Sequence, residues 1–150
     1  MTIVCGVVGT GEEEPAPAAL AEEVGRLAAK RGWTVVCGGL GGVMAAACRG
    51  AAGVGGLTVG ILPGLRHDDA NPWVKVAIPS GFGEARNALV VRAAHGLIAV
   101  GGGHGTLSEI ALALKVGKPV VSLDSWDIPG VVPAADPEVA IDALAALIDG

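Results

Sequence analysis

A glycine-rich segment followed by a threonine and a glutamate has the clearest chemistry in this sequence. Residues 101–109 read GGGHGTLSE. Glycines let main-chain N–H groups approach an anion closely, and the helix predicted to follow adds partial positive charge at its start. We therefore predict these phosphate-binding residues: Gly102, Gly103, Gly105 and Thr106. Glu109 lies one turn into the helix, where it is either a catalytic carboxylate or an acid that only stabilises the helix N-terminus.

A basic residue lies at the start of the helix predicted from Glu84 to about His95. Arg86 is in its first turn, where the helix dipole mildly disfavours a cation. This position, just after a glycine-containing loop, favours an anionic ligand or a carboxylate partner over a solvated side chain. We predict a catalytic role for Arg86 and a ligand contact for Asn87. Arg92 lies deeper in the helix, where a solvated side chain is an equally good interpretation.

Two further glycine turns follow predicted strands. One is Gly9-Thr10-Gly11, and the other is residues 38–42, GGLGG, with Met44 just beyond. Carboxyl ends of parallel strands meet at one edge of a sheet, which is where open α/β sheets bind ligands. From these turns we predict the following ligand contacts: Gly9, Thr10, Gly11, Gly39, Gly42 and Met44. The alternative is that the glycines only make tight turns, since neither a P-loop nor a dinucleotide fingerprint is present.

Strands and helices alternate along the whole chain. Six strands are predicted: 2–8, 33–37, 57–62, 74–78, 97–100 and 120–123. Five helices are predicted: 15–31, 43–52, 84–95, 105–116 and one from Asp136 or Pro137 onward, whose Val139, Leu144, Leu147 and Ile148 should face the core. Residues 124–135 are predicted as a loop. Continuous Val, Ile and Leu runs are typical of parallel strands buried on both faces. The sequence therefore predicts a single α/β domain over residues 1–150, with three layers and a parallel sheet of about six or seven strands between helices.

The composition limits which binding partners and which cellular compartment are compatible with this chain. The formal net charge of −5 argues against a nucleic-acid partner. Cys5, Cys37 and Cys48 lie in apolar runs, so we expect buried thiols in a reducing compartment rather than disulfides or metal ligands. The histidines have no metal-ligand spacing, and no metal site is predicted. No secretory leader or membrane-spanning run is recognisable, which favours a cytoplasmic protein without a membrane partner.

Residues 101–109 together with Arg86 resemble the motifs of a known superfamily. Its members include the Lonely Guy phosphoribohydrolases, which activate cytokinins and are often mislabelled lysine decarboxylases, and the molybdenum-cofactor carrier proteins. The Lonely Guy motif is P-G-G-x-G-T-x-x-E with an arginine on the preceding helix, and residues 38–44 are similar to the family's second glycine-rich turn. The resemblance covers nearly the whole chain and implies a Rossmann-like fold in which Arg86 pairs with Glu109.

Three positions differ from the hydrolase pattern. Gly101 replaces the proline of the motif, Asn87 replaces the lysine that follows the arginine, and Gly83 replaces a methionine. These residues are more similar to the carrier-like branch. The resemblance therefore implies the fold and a phosphate site, with a phosphorylated, nucleotide-like small molecule as the partner.

Two functions are compatible with these residues. The first is hydrolysis of the N-glycosidic bond of a nucleoside 5′-monophosphate, in which Glu109 stabilises the cationic sugar or orients water and Arg86 keeps Glu109 ionised. His104 is then a candidate proton donor, or else an ordinary loop histidine. The second is a non-catalytic carrier or sensor of a nucleotide or of molybdopterin. Neither requires a cofactor; the expected bound molecule is a nucleoside monophosphate, phosphate or molybdopterin.

Two other functions fit the sequence poorly. Lysine decarboxylation is not predicted, because none of the lysines lies in a recognisable pyridoxal-phosphate motif. A purely structural interaction module would leave the three glycine turns unexplained.

Charged residues make up only 17% of the chain, and this predicts self-association. We expect a homodimer or a higher even-numbered oligomer, formed through the Ala-rich helix after Met44 or the helix of residues 85–95. Trp73 and Phe82 lie in loops near the expected site, where they either stack on a ligand ring or only pack the loops.

Overall fold

The architecture is a parallel sheet between two layers of helices. In this computed structural model, which describes residues 1–150, the strands are β1 (Val4–Gly9), β2 (Thr34–Cys37), β3 (Thr58–Leu62), β4 (Val76–Pro79), β5 (Gly96–Val100), β6 (Val120–Leu123) and β7 (Val132–Pro133). The helices are α1 (Pro15–Lys30), α2 (Val43–Ala52), α3 (Arg86–Ala93), α4 (His104–Lys115) and α5 (Pro137–Asp149). Short 3-10 turns cover His67–Asp69 and Gly83–Ala85. The three-layer parallel α/β fold predicted from the sequence is confirmed.

The strand order is β4-β3-β2-β1-β5-β6-β7, and every pairing is parallel. The chain moves outward from β1 in one direction and then returns to start again on its other side with β5. This reversal creates a crevice beyond the carboxyl ends of β1 and β5, and such a switch point is where open α/β sheets bind ligands. The loops that follow these two strands contain Gly9–Gly11 and Gly101–Gly103.

Both faces of the central strands are buried, which accounts for the unbroken apolar runs in these strands. One core lies between the sheet and α1, α2 and α5, and includes Val7, Val24 and Ile98. The other lies between the sheet and α3 and α4, and includes Val90 and Ile110. Apolar burial of this kind stabilises a fold by about 25 cal/mol per Å² of surface removed from water, so the central strands are rigid supports for the loops at their ends.

Helices α1 and α2 approach closely because small residues meet between them. A Cβ on Gly25 would lie 2.0 Å from the Ala47 carbonyl oxygen, and one on Gly50 would lie 1.9 Å from the Glu22 carbonyl oxygen. The alanine face of α2 is therefore covered by α1, with Ala46 and Ala47 at 1% and 0% exposure. This face of α2 is thus already used inside the chain, and the expectation that the helix forms an interface between copies stays a prediction.

Several element limits differ from those predicted. The short strand β7 lies in a segment predicted as a loop, and the helix predicted from Glu84 is a 3-10 turn followed by α3. In α5, Leu144 is buried and Ile148 packs on the core as expected. Val139 and Leu147 are instead 48% and 42% exposed, because the sheet contacts a narrower stripe of this helix than its apolar pattern suggests.

Helix starts differ in how their free amides are satisfied. At α5, the Asp136 carboxylate accepts a hydrogen bond from the Val139 amide at 2.9 Å, and Pro137 needs no acceptor. Helices α2 and α4 begin instead at Gly42 and Gly103, which have no side chain to cap them. At α2 the Val43 amide donates to the Thr10 carbonyl at 2.9 Å and the Gly42 amide to Glu13 Oε1 at 3.2 Å. The first amides of α4 have no acceptor within their helix and lie at the ligand-binding edge of the sheet.

The two edges of the sheet both carry a proline. Edge strand β4 ends at Pro79, and edge strand β7 consists of Val132 and Pro133.

None of the helices combines the length and the apolar character that crossing a membrane requires.

Candidate functional site

One pocket of about 320 Å³ lies at the switch point between β1 and β5. It collects residues from four separate segments of the chain. Its lining consists of Val8, Gly9, Thr10, Gly11, Glu12, Met44, Arg86, Asn87, Gly103, Gly105, Thr106 and Glu109. The structure therefore brings together ten of the thirteen residues singled out in the sequence, although their roles in binding or catalysis stay predictions.

The loop after β5 presents a row of main-chain amides to this pocket. The first main-chain hydrogen bond of α4 runs from the Leu107 amide to the Gly103 carbonyl at 3.0 Å. The amides of residues 102–106 precede that bond and have no acceptor within the helix. With φ angles of 55° and 100° at Gly101 and Gly102, the backbone takes a path that other residues rarely follow.

Two side chains from the loop after β6 hold the glycine loop in place. Ser125 Oγ donates to the Gly101 carbonyl at 2.6 Å, and Trp126 Nε1 donates to the Gly103 carbonyl at 2.9 Å. Because both carbonyls accept hydrogen bonds from the loop after β6, the orientation of the glycine loop is fixed before a ligand binds. This role of Ser125 and Trp126 was not predicted, since they lie 24 and 23 residues away from their partners in the sequence.

Arg86 brings positive charge and an unused donor to the pocket. Its Nη1 donates to Asn87 Oδ1, while its Nε is buried and has no hydrogen-bond partner. Buried donors are almost always paired in folded proteins. An acceptor on a bound molecule would therefore complete the hydrogen bonding of this guanidinium.

Glu109 is a buried carboxyl on the first turns of α4, with only 7% of its surface exposed. Burial raises its pKa from 4.5 to about 7, and the positive charge of Arg86 opposes that rise. The two side chains line one pocket, but their charged groups form no ion pair like those of Arg49 with Glu22. A pKa of about 7 leaves both forms of Glu109 populated near pH 7, so Arg86 favours the carboxylate only in part. The expectation that Arg86 keeps Glu109 ionised stays a prediction.

Three predicted contact residues shape the loops instead of lining the pocket. A Cβ on Gly102 would lie 2.2 Å from Thr106 Oγ1, so this glycine makes room for the buried Thr106. Gly42, with φ of 61°, packs against the Thr10 carbonyl. The carbonyl of Gly39 accepts a hydrogen bond from the Asn71 amide at 2.9 Å.

Two pocket residues were not anticipated: Val8 and Glu12. Glu12 follows the turn Gly9–Gly11 directly, and that adjacency is the signal that would have identified it. Its amide donates to Thr10 Oγ1 at 3.1 Å, which holds the turn closed.

The remaining candidates lie outside this pocket. The Arg49 guanidinium lies over the Trp73 ring, 5.1 Å from the ring centre, and Trp73 does not line the pocket. Phe82 is 64% exposed and does not line the pocket either. Arg92 does not line it either. The three cysteines are buried free thiols, as expected. No group of three or more His, Cys, Asp or Glu side chains is arranged to hold a metal ion.

The fold and this pocket define a Rossmann-like α/β protein with a glycine-rich site at its switch point. The chain belongs to the SLOG cluster4 family, which it matches over residues 2–143. The resemblance found in the sequence is therefore confirmed.

Solved structures of molybdenum-cofactor proteins superpose on almost the whole chain. The molybdenum cofactor binding protein of Rippkaea orientalis is 38% identical, covers 99% of this chain and 98% of its own, and has a TM-score of 0.94. The Moco carrier protein of Chlamydomonas reinhardtii is 36% identical, covers 99% of both chains, and has a TM-score of 0.90.

An enzyme is also among the relatives. The cytokinin riboside 5′-monophosphate phosphoribohydrolase of Mycobacterium tuberculosis is 36% identical over 121 residues. The match covers 71% of this chain and 62% of the relative, so the chain spans less than two thirds of that protein's length.

Proposed function

We propose that this chain binds a phosphorylated pterin of the molybdenum-cofactor type and carries it without chemical turnover. The relatives that support this proposal match the chain from end to end, whereas the match to the hydrolase is partial. The cofactor is the cargo of the protein in this proposal, and the bound phosphate is what the pocket must hold.

The observation that carries the proposal is the combination of free amides and an unpartnered arginine donor. Amides of Gly103, Gly105 and the intervening residue precede the first hydrogen bond of α4. Arg86, whose buried Nε has no hydrogen-bond partner, lines the same pocket. Such donors, together with the helix dipole, bind phosphate in many unrelated folds. In this proposal they would bind phosphate even though the chain as a whole has a net charge of −5.

Three pocket residues have distinct tasks in this proposal. Thr106 is 3% exposed and would add its hydroxyl to the phosphate contacts. Arg86 would neutralise the anion. Glu109, with a pKa of about 7, would be largely protonated beside an anion, because a second negative charge raises the pKa of a carboxyl further.

Anaerobic binding of molybdenum cofactor released from a purified molybdoenzyme tests this proposal. We expect saturable binding that inorganic phosphate weakens, and a loss of about tenfold or more in Arg86→Met, which removes charge-assisted hydrogen bonds. Arg92→Met is the matched control, because Arg92 lies on the same helix without lining the pocket. Absence of binding, or equal affinity in both variants, would contradict the proposal.

A second candidate is hydrolysis of a nucleoside 5′-monophosphate to the free base and ribose 5-phosphate. It is favoured by Glu109, whose pKa of about 7 lets it act as a proton donor or as a carboxylate near neutral pH. The acid form would give its proton to the base as the bond between base and sugar breaks. The carboxylate left behind would stabilise the sugar cation and then take a proton from the water that attacks it. This removes the need for His104 as the proton donor.

Incubation with AMP separates the two candidates. Hydrolysis would release adenine and ribose 5-phosphate, and Glu109→Gln would abolish the release while Glu138→Gln, an exposed acid on α5, would not. A carrier would bind ligand and release neither product.

We also propose that the protein is cytoplasmic, has no nucleic-acid partner and forms a homodimer or higher even-numbered oligomer. The acidic net charge supports the second point. With α2 covered, the remaining candidate surface includes Leu89 on α3 and Phe82, both of them exposed. Light scattering at micromolar concentration tests the oligomer, and a monomer would contradict it.

A further inference from the structure

A second recess of about 380 Å³ adjoins the phosphate pocket. It lies between the start of α3 and the first turns of α4, and it shares Asn87 and Gly105 with the phosphate pocket. The other residues around it are Glu84, His104 and Ser108. A molecule whose phosphate occupied the first pocket could therefore extend its ring system into the second.

One residue that lines the recess, His104, belongs to an aromatic pair. The His104 imidazole stacks on the Trp126 indole, with ring centroids 6.0 Å apart and planes inclined by 26°. The indole is itself fixed by its hydrogen bond to the Gly103 carbonyl. The aromatic pair therefore has a defined position, and stacking on such a surface is favourable for any flat heterocycle.

The polar edge of the recess distinguishes one class of heterocycle from another. Glu84 is exposed, and its carboxylate forms no ion pair within the chain. An ionised carboxylate only accepts hydrogen bonds, through two oxygens side by side. It matches a ring edge that presents two neighbouring donors, the N–H and NH₂ of a 2-amino-4-oxopyrimidine. Adenine presents one donor and one acceptor on the corresponding edge.

We propose that this recess is the ring subsite and that Glu84 selects a 2-amino-4-oxopyrimidine ring, the unit that pterin and guanine share. The inference rests on the proposed function, because it requires a phosphate in the first pocket. Glu84 holds the donor edge of the ring, while His104 supports its face. Asn87 lines both cavities and lies where the two ends of the ligand meet.

Calorimetric titrations with GMP, IMP and AMP test the inference, and ribose 5-phosphate reports on the phosphate pocket alone. IMP lacks only the 2-amino group of GMP. We expect the wild type to bind GMP about tenfold or more tightly than IMP or AMP, since a hydrogen bond to a charged group is among the stronger ones. 6-Hydroxymethylpterin phosphate is titrated in the same way. Its affinity relative to that of GMP shows whether the recess prefers the 2-amino-4-oxopyrimidine ring of a pterin or that of guanine.

The variant Glu84→Gln makes the test specific. A carboxamide offers one acceptor and one donor, which suits adenine, so the preference for GMP should disappear or reverse while ribose 5-phosphate binds as before. Asp149→Asn, at the last residue of α5, is the control for the loss of one negative charge. Equal binding of the three nucleotides, or an unchanged preference in Glu84→Gln, would overturn the ring subsite alone. Failure of ribose 5-phosphate and all nucleotides to bind would overturn the proposed function with it.

Discussion

The guanidinium of Arg86 lies directly against the Cα of Gly38. A Cβ at residue 38 would come within 2.7 Å of the guanidinium carbon and of Met44 Sδ. The Arg86 guanidinium thus packs against Gly38, and the glycine turn after β2 contributes to the pocket through this contact. Gly38 does not line the pocket, but it is needed to position Arg86, which does.

Gly38→Ala should lower ligand affinity far more than stability. The atoms that the new methyl group meets are the ends of flexible side chains, so they can move at a cost near the lower end of the overpacking range, about 1 kcal/mol. Arg86 would then leave its position, and ribose 5-phosphate should bind about tenfold more weakly. Titration calorimetry and urea unfolding measure the two effects. An affinity equal to that of Gly53→Ala, at the far end of α2, would show that the contact is unimportant.

Glu109→Gln should stabilise the protein at alkaline pH. The pKa of Glu109 is raised from 4.5 to about 7 in the folded state, so folding is penalised as pH rises from about 4.5 and the penalty is complete above about 7. The glutamine has no charge to bury and should increase the free energy of unfolding at pH 8 by up to about 3 kcal/mol. The difference between the variant and the wild type should vanish near pH 4. Urea unfolding at several pH values checks this, and parallel pH profiles would exclude it.

Gly105→Ala should weaken ligand binding without lowering the stability of the fold. No atom lies within 4 Å of a Cβ at this position, and alanine is favoured over glycine in a helix by up to about 1 kcal/mol. The methyl group would, however, enter the space shared by the two cavities. Thermal unfolding should therefore show equal or higher stability, and calorimetry should show weaker binding of ribose 5-phosphate. Unchanged affinity would mean that the ligand does not approach this residue.

Gly25→Ala should destabilise the fold despite the better helix propensity of alanine. The added methyl group would meet main-chain atoms of Ala47, which cannot move without shifting α2. Overpacking of this kind costs about 1–3 kcal/mol, more than the propensity gain of about 1 kcal/mol. Urea unfolding should show a lower midpoint than Gly53→Ala, where the nearest atom is 3.4 Å away. A higher midpoint would mean that the helices separate easily.

Much of the architecture could be predicted because glycines and prolines mark the ends of its elements. The predicted limits of α2 and β6 agree with the structure. Strand β7 was missed because its two residues form a strand only through pairing with Val121 and Ser122. Valine before proline favours an extended backbone, but two residues are too few to distinguish a strand from an extended loop.

The site could be predicted in outline for a topological reason. Parallel strands place their following loops at one edge, so the glycine turns at residues 9–11 and 101–103 had to lie at the same edge. That they are neighbours follows from the pairing of β1 with β5. The pKa of Glu109 could not be predicted in the same way, because it depends on how deeply α4 is buried. The same is true of the Trp126–Gly103 hydrogen bond, which joins two loops that the sequence does not relate.

The prolines at both margins of the sheet restrict how copies of this protein can meet. Pro79 and Pro133 have no amide hydrogen to donate, so neither margin offers the complete ladder of donors that an incoming strand would need. Edge-to-edge growth into extended fibres is disfavoured, even for a chain with so many valines. Assembly that leaves the sheet intact would have to use helix surfaces or loops, the elements that also surround the ligand pocket.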